Sequence, residues 1–397
     1  MERALYKTKI ASLLLFVFAL PFSYWDPLGI ASMFSITKAF GFMYAIFAFL
    51  TFKSSFERGI TLPVVRLLLF IWILMAIQSL VHWWYNTRFS IMEFSLIQNI
   101  LLFWLISSDI IRNKKIIKFI FLAIVLGVAL MVALSSFGIG ISLEMELGEQ
   151  RLSFFGANSN NIAVFLSLAL ILIIYLSYKK KFGKKSYLLL FLVLPILSMI
   201  GMTGSRSALI LVGLSLLCFF LFFKTKIWKK IILLSFGTLF VGYSLEKIVS
   251  SEIMAKRIEK TMHSQELGPR GEIWSSAFNI FLEKPVLGWG QTGYEKQIMN
   301  NFNGIYWDTH NLFLYLMVTT GIIGITIFIF FLFRLIKNSW IYYKINADPI
   351  MLVILLFYLT NISKTGAVIN NNTMWVLAAI IFSSVYFYQS GIDIDND

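Results

Sequence analysis

Apolar residues along this chain fall into blocks of about 17 to 25 positions separated by short charged stretches, the length an α-helix needs to cross about 30 Å of hydrocarbon. On that pattern, spans are expected at 9–24, 29–51, 64–82, 91–107, 116–138, 159–177, 186–202, 205–223, 228–245, 309–333, 349–363 and 371–389. The ten-residue alternation of a transmembrane β-barrel is absent from the sequence. The expected fold is an all-α polytopic membrane protein with about twelve transmembrane helices.

One stretch breaks the rhythm. Residues 246–308 are too many for a simple connection and too few for a large separate domain. Within it, Val249, Ile253, Met254, Ile258 and Met262 stand near helical spacing with Lys256, Arg257 and Lys260 opposite, as in an interfacial helix. A second helix is predicted from Gly271 to Glu283, stopped by Pro285 and by Gly288, Gly290 and Gly293. The chain thus divides into spans over 1–245, a polar loop with short helices over 246–308, and three further spans with a short tail over 309–397.

Composition agrees, since 58% apolar and 14% charged residues exclude an ordinary soluble domain. The net charge of +14 does not mark a nucleic-acid binder, because 21 of the 34 Lys and Arg residues lie in the N-terminal segment and alternate loops. Those loops carry Lys53 and Arg58, Arg112 to Lys118, Lys179 to Lys185, Lys224 to Lys230, and Arg334 to Lys344. By the positive-inside rule both termini are expected to be cytoplasmic, with 246–308 on the opposite face. The first apolar block lacks a small-residue cleavage site near Pro21-Phe22-Ser23 and is taken as a span. The acidic end, Asp393 to Asp397, is expected to fray. Cys218 stands alone and His82, His263 and His310 are scattered, so neither a disulfide, a metal site nor a cofactor is expected.

Four places could carry chemistry on the non-cytoplasmic face. Arg206, in Gly204-Ser205-Arg206-Ser207, sits at a span end otherwise almost free of cations, either to bind an anion or to snorkel to lipid phosphate. Arg270 opens a predicted helix whose dipole disfavours a cation unless an anion is bound; pairing with Glu272 is the plainer alternative. His310, with Asp308 near enough to orient it, can accept a hydroxyl proton near neutral pH, or be a structural interfacial histidine. Arg151 precedes an amide cluster including Asn158 and Asn160, suited to reading sugars or, equally, to capping a helix. Trp307 and the other aromatics near span ends could stack on sugars or prenyl chains, although an interfacial belt explains most of them.

Three stretches together resemble the O-antigen ligase and O-antigen polymerase superfamily of bacterial membrane glycan transferases. They are Gly204-Ser205-Arg206-Ser207; Pro269-Arg270-Gly271-Glu272-Ile273-Trp274 continuing to Glu283-Lys284-Pro285-Val286-Leu287-Gly288-Trp289-Gly290; and His310-Asn311 followed after nine residues by Gly321-Ile322-Ile323-Gly324. The resemblance covers roughly 150–335; the first 140 residues match only in hydropathy. It implies a fold similar to GT-C-type glycosyltransferases, placed in the bacterial inner membrane with the site facing the periplasm. It also implies metal-independent, inverting transfer of a glycan from undecaprenyl diphosphate. Arg206 and Arg270 would hold the donor diphosphate, and His310 would position or deprotonate the acceptor hydroxyl, with Arg151, Asn158, Asn160, Asn311 and Trp307 as candidate sugar contacts. The acceptor would be lipid A core for a ligase, slightly favoured by the pattern at His310, or a growing lipid-linked glycan for a polymerase. Membrane lipids and a chain-length regulator would be further partners.

A polysaccharide transporter or flippase is the reading from another class, and a structural partner of a polysaccharide complex is a third. Transporters show related halves and ionisable residues at mid-membrane. In this sequence the halves show no correspondence and the distinctive polar residues gather at span ends.

Overall fold

The computed structural model describes residues 2–27, 35–57, 59–83, 91–146, 149–203, 205–224, 226–228, 235, 242, 269–363, 369 and 371–386. Among these it is a multi-pass helical membrane protein. Six helical segments are long and apolar enough to span a bilayer, and four shorter apolar helices accompany them. The predicted span 228–245, but for isolated positions, and the predicted helix over 246–262 lie outside the described residues. Each of the other predicted spans meets a helix.

The chain forms two compact units. The first comprises Met1–Ser55, Asn113–Lys260 and Asn346–Val353. Its helices are α1 (Glu2–Phe18), α2 (Ile36–Leu50), α3 (Phe52–Ser55), α6 (Ile116–Ser136), α7 (Ser159–Tyr178), α8 (Val193–Thr203) and α9 (Arg206–Phe222). α1 ends earlier than its apolar block because Pro21 diverts the chain into a 3₁₀ turn, Leu20–Phe22. Gly127 lets α6 approach closely enough to α1 that a Cβ there would strike the Phe18 carbonyl. α7 is the central post, buried on nearly all sides against α6, α8 and α9. Span 186–202 is split: a 3₁₀ stretch, Lys185–Leu192, precedes α8, whose first turn holds Pro195, a residue tolerated only near a helix start. At one end of α7, Asp348 Oδ2 accepts from the Tyr175 hydroxyl at 3.0 Å and pairs with Lys179 Nζ at 3.2 Å.

The sequence pattern did not predict strands here, yet β1 (Ile141–Glu146) and β2 (Glu149–Phe154) pair antiparallel, with Ile141 opposite Phe154. The hairpin is followed by Phe155 and Gly156, both at positive φ, and Phe155 packs edge-on against Phe22 and Trp25 with centroids 5.1 and 5.0 Å away. A strand pair this short gives almost no periodic signal between two apolar blocks.

The second unit comprises Phe56–Arg112, Thr261–Ile345 and Ile354–Asp397. Its helices are α4 (Leu62–Trp83), α5 (Ile91–Arg112), α10 (Pro269–Glu283), α11 (Gly290–Asn301), α12 (Leu312–Asn346), most of α13 (Ile350–Ile362) and α14 (Asn372–Ser383). Phe103 of α5 meets Phe331 of α12 and Phe382 of α14 at 5.6 and 5.4 Å, and Asn338 Nδ2 donates to the Phe382 carbonyl at 2.8 Å. The helix predicted over 271–283 is α10, begun by Pro269 at a position where a missing N–H costs nothing. α11 was not predicted, because Gly290 and Gly293 read as helix breakers. Both are there for close packing: a Cβ at Gly290 would collide with the Ser79 backbone, and one at Gly293 would lie 3.1 Å from the His82 ring.

α12 departs most from its expected span of 309–333. It begins at Leu312 and runs 35 residues, about 52 Å at the helical rise and well beyond the hydrocarbon thickness. The charges that ended the predicted span are accommodated beyond it, Arg334 donating to the Tyr386 hydroxyl at 2.8 Å. At Gly321 the backbone turns to φ 63 and ψ −166, kinking the helix where the chain at Val286–Gly288 crosses it. Ile322 N–H donates there to the Pro285 carbonyl and Trp289 N–H to the Val318 carbonyl, both at 2.8 Å.

Candidate active site

Of the residues singled out in the sequence, Arg270, Trp307, His310 and Asn311 lie in the second unit and are drawn together by α10 and the loop before α12. α10 buries Ile273, Ala277 and Ile280, an i, i+4, i+7 stripe. That choice of face leaves Arg270, Trp274, Phe278 and Leu282 exposed along one line at four-residue spacing. One turn after Arg270, the Trp274 indole Nε1 donates to the Thr309 carbonyl at 2.8 Å. Arg270 therefore shares a helix face with the side chain that grips the residue before His310. Among the described residues it forms no ion pair, so the alternative of pairing with Glu272 is not realised.

The loop that carries His310 is braced on every side. Thr309 is fully buried, and its hydroxyl donates to the Asn311 carbonyl at 2.9 Å. Between them His310 adopts φ 50, a left-handed conformation that a non-glycine residue keeps only where its surroundings hold it. Asn311 caps α12, its Oδ1 accepting from Phe313 N–H at 2.9 Å and Leu314 N–H at 3.3 Å. The nine residues between Asn311 and Gly321 thus have a physical meaning: they are the helical stub from the cap to the kink.

Asp308 Oδ2 lies 3.7 Å from His310 Nδ1, an ion-pair separation longer than a hydrogen bond. Behind Asp308 stand two buried phenols. Tyr294 donates to the Trp307 carbonyl at 2.8 Å. Burial raises its pKa above the ordinary tyrosine value, and Tyr306 and Asp308 add to the shift. Tyr306 is raised mainly by burial and then by Asp308, partly offset by Gln291. Gln291 accepts from the Tyr315 hydroxyl and donates through Nε2 to Glu295 Oε1 at 2.6 Å. Trp274, Thr309, Tyr306 and Gln291 were not singled out as parts of the site, whereas Tyr294 was among the span-end aromatics that could stack on sugars. Of those four, only Trp274 carried a usable signal, its four-residue offset from Arg270.

The remaining candidates lie in the first unit. Arg206 is the first residue of α9, after Ser205. Arg151 is in β2 opposite Glu144. Asn158 caps α7, accepting from Asn160 N–H at 2.8 Å, so the capping alternative holds for that oxygen. The Ser167 hydroxyl of α7 is 3.5 Å from the Ala208 carbonyl of α9, a contact near the start of α9. Among the described residues no three His, Cys, Asp or Glu side chains gather as a cation would require.

One comparison bears on this arrangement. Residues 191–329 match the O-antigen ligase family. The match supports membership of the O-antigen ligase and polymerase superfamily, and it takes in Arg206, Arg270, His310 and the kink at Gly321 while leaving Arg151, Asn158 and Asn160 outside. Comparison with curated proteins gives no match. The matched stretch therefore includes α8 through the kinked first part of α12, the two sides of the Trp274–Thr309 contact among them.

Proposed function

We propose that this O-antigen ligase-like protein transfers a glycan from undecaprenyl diphosphate to a saccharide hydroxyl on the periplasmic face of the bacterial inner membrane, with inversion and without a metal. The observation that supports the reading is the hydrogen bond from Trp274 to the Thr309 carbonyl, which ties the loop before α12 to the exposed face of α10 that also carries Arg270. A guanidinium suits a diphosphate, whose charge grows as the glycosyl bond breaks. An imidazole suits the hydroxyl: with Nδ1–H directed at Asp308, the Nε2 lone pair is free to accept the proton as oxygen attacks the anomeric carbon. Arg206 carries the same diphosphate assignment from the family pattern. Arg151, Asn158, Asn160, Asn311 and Trp307 are assigned to sugar contacts.

The acceptor decides between ligase, with lipid A core, and polymerase, with another lipid-linked repeat; the sequence at His310 slightly favours ligase. The test is a surface-polysaccharide gel from a strain lacking the gene, with carrier-linked glycans extracted in parallel. Core lipid alone, with long polymer stranded on the carrier, identifies a ligase. Core bearing a single repeat, with no long polymer, identifies a polymerase. Normal glycan in strains carrying Arg206→Ala, Arg270→Ala or His310→Ala would overturn the assignment of these residues.

A further inference from the structure

α10 carries basic groups at both ends, and the second end has a construction of its own. Lys284, just past the C-terminus of α10, places Nζ 4.0 Å from the centre of the Trp289 ring and 3.1 Å from His82 Nε2. An ammonium only donates, so Nε2 of His82 must accept, and the imidazole is neutral with its proton on Nδ1, 2.7 Å from the Gln78 carbonyl. Trp289 is fixed from its far side, its Nε1 donating to the Ile280 carbonyl at 2.8 Å. Gly293 leaves room for this: a Cβ there would sit 3.1 Å from both the His82 ring and the Trp289 side chain. Lys296 follows Gly293 by three residues on α11, so it lies on the helix face that meets His82, and it is exposed. The result is a half-buried ammonium held between two oriented rings, with a second lysine nearby and, among the described residues, no carboxylate paired with either.

Neither ring neutralises the charge, and one hydrogen bond leaves Lys284 with donors to spare. His82 is also the last residue of the apolar span Leu62–His82, which puts the group at the depth of lipid headgroups. Along α10 it is about 21 Å from Arg270, too far for one diphosphate to touch both. We propose that Lys284, oriented by His82 and Trp289, and Lys296 beside it on α11 form a second anion site that binds the phosphate of a lipid. The phosphate belongs either to a bilayer phospholipid or to a polyprenyl carrier. The inference rests on the placement of α4 in the membrane and not on the glycan-transfer reading, so either can fail without the other.

The test uses the full chain in lipid nanodiscs and two probes: farnesyl diphosphate added from solution, and phosphatidylglycerol exchanged for phosphatidylcholine and scored by native mass spectrometry. Lys284→Gln is expected to weaken binding of at least one probe about tenfold, and the double variant with Lys296→Gln further, since each removes a charge-assisted contact. A loss confined to farnesyl diphosphate assigns the site to the carrier, and a loss confined to phosphatidylglycerol assigns it to the bilayer. Loss of both supports a general phosphate site. Wild-type binding of both probes by the double variant overturns the proposal. Should Lys284→Gln fail to fold, Lys296→Gln at its exposed position decides alone: undiminished binding of both probes overturns the proposal, and weakened binding of either supports it.

Discussion

The indole Nε1 of Trp274 donates to the Thr309 carbonyl at 2.8 Å, and this bond fixes which face of α10 meets the loop carrying His310. Replacing Trp274 with Phe keeps a ring and removes the donor. Thr309 is fully buried, so its carbonyl loses a donor in the interior and stability should fall by about 1 to 3 kcal/mol. Transfer should also fall about ten- to a hundredfold, because Arg270 and His310 lose their common reference. Thermal midpoint and turnover measured on the same preparation separate the two effects.

Gly321 should tolerate no side chain. It combines φ 63 with a crossing backbone, and an added Cβ would strike the Val286 carbonyl. Gly321→Ala should cost at least about 2 kcal/mol. A control is Gly201→Ala, where the Cβ meets open space. The thermal midpoint in detergent should drop for the first and hold for the second.

Much of this was legible in the sequence, for reasons that also explain what was not. Span positions follow from transfer of apolar blocks into lipid, a local property, so α4, α6 and α7 came out close to their predicted bounds. The length of α12 and the existence of α11 depend on packing. Arg334 ends a hydropathy window but not a helix that has Tyr386 to meet it, and Gly290 looks like a breaker until Ser79 is seen against it. Arg270 and His310 were conspicuous as charged or titratable groups near a membrane face. The parts that unite them, the Trp274 indole and the buried Thr309 carbonyl, are a long-range pair with no spacing rule to announce it.

Asn311 and Asn158 are caps as well as candidate sugar contacts, and aspartate separates the roles. Asn311→Ala should lose about 1 kcal/mol through the freed Phe313 and Leu314 N–H groups, whereas Asn311→Asp keeps the acceptor. Stability restored without activity in Asn311→Asp would mark the amide as a substrate contact. Recovery of both would mark a cap alone, and the same comparison applies to Asn158.

The raised phenols of Tyr294 and Tyr306 predict an alkaline weakness. With a folded pKa above the unfolded one, their contribution to stability is complete below the ordinary tyrosine value near 10 and is lost as pH rises through the raised folded values. The thermal midpoint should therefore decline above about pH 10. Tyr306→Phe, which cannot ionise, should flatten that decline, and an unchanged slope would count against a buried phenol.

The most direct test of the central claim is single-turnover transfer by purified His310→Ala reconstituted in liposomes, scored as released carrier diphosphate with donor binding measured alongside. Loss of about a hundredfold or more in rate with donor binding preserved is the expected result. Transfer at the wild-type rate by a folded variant would contradict the account.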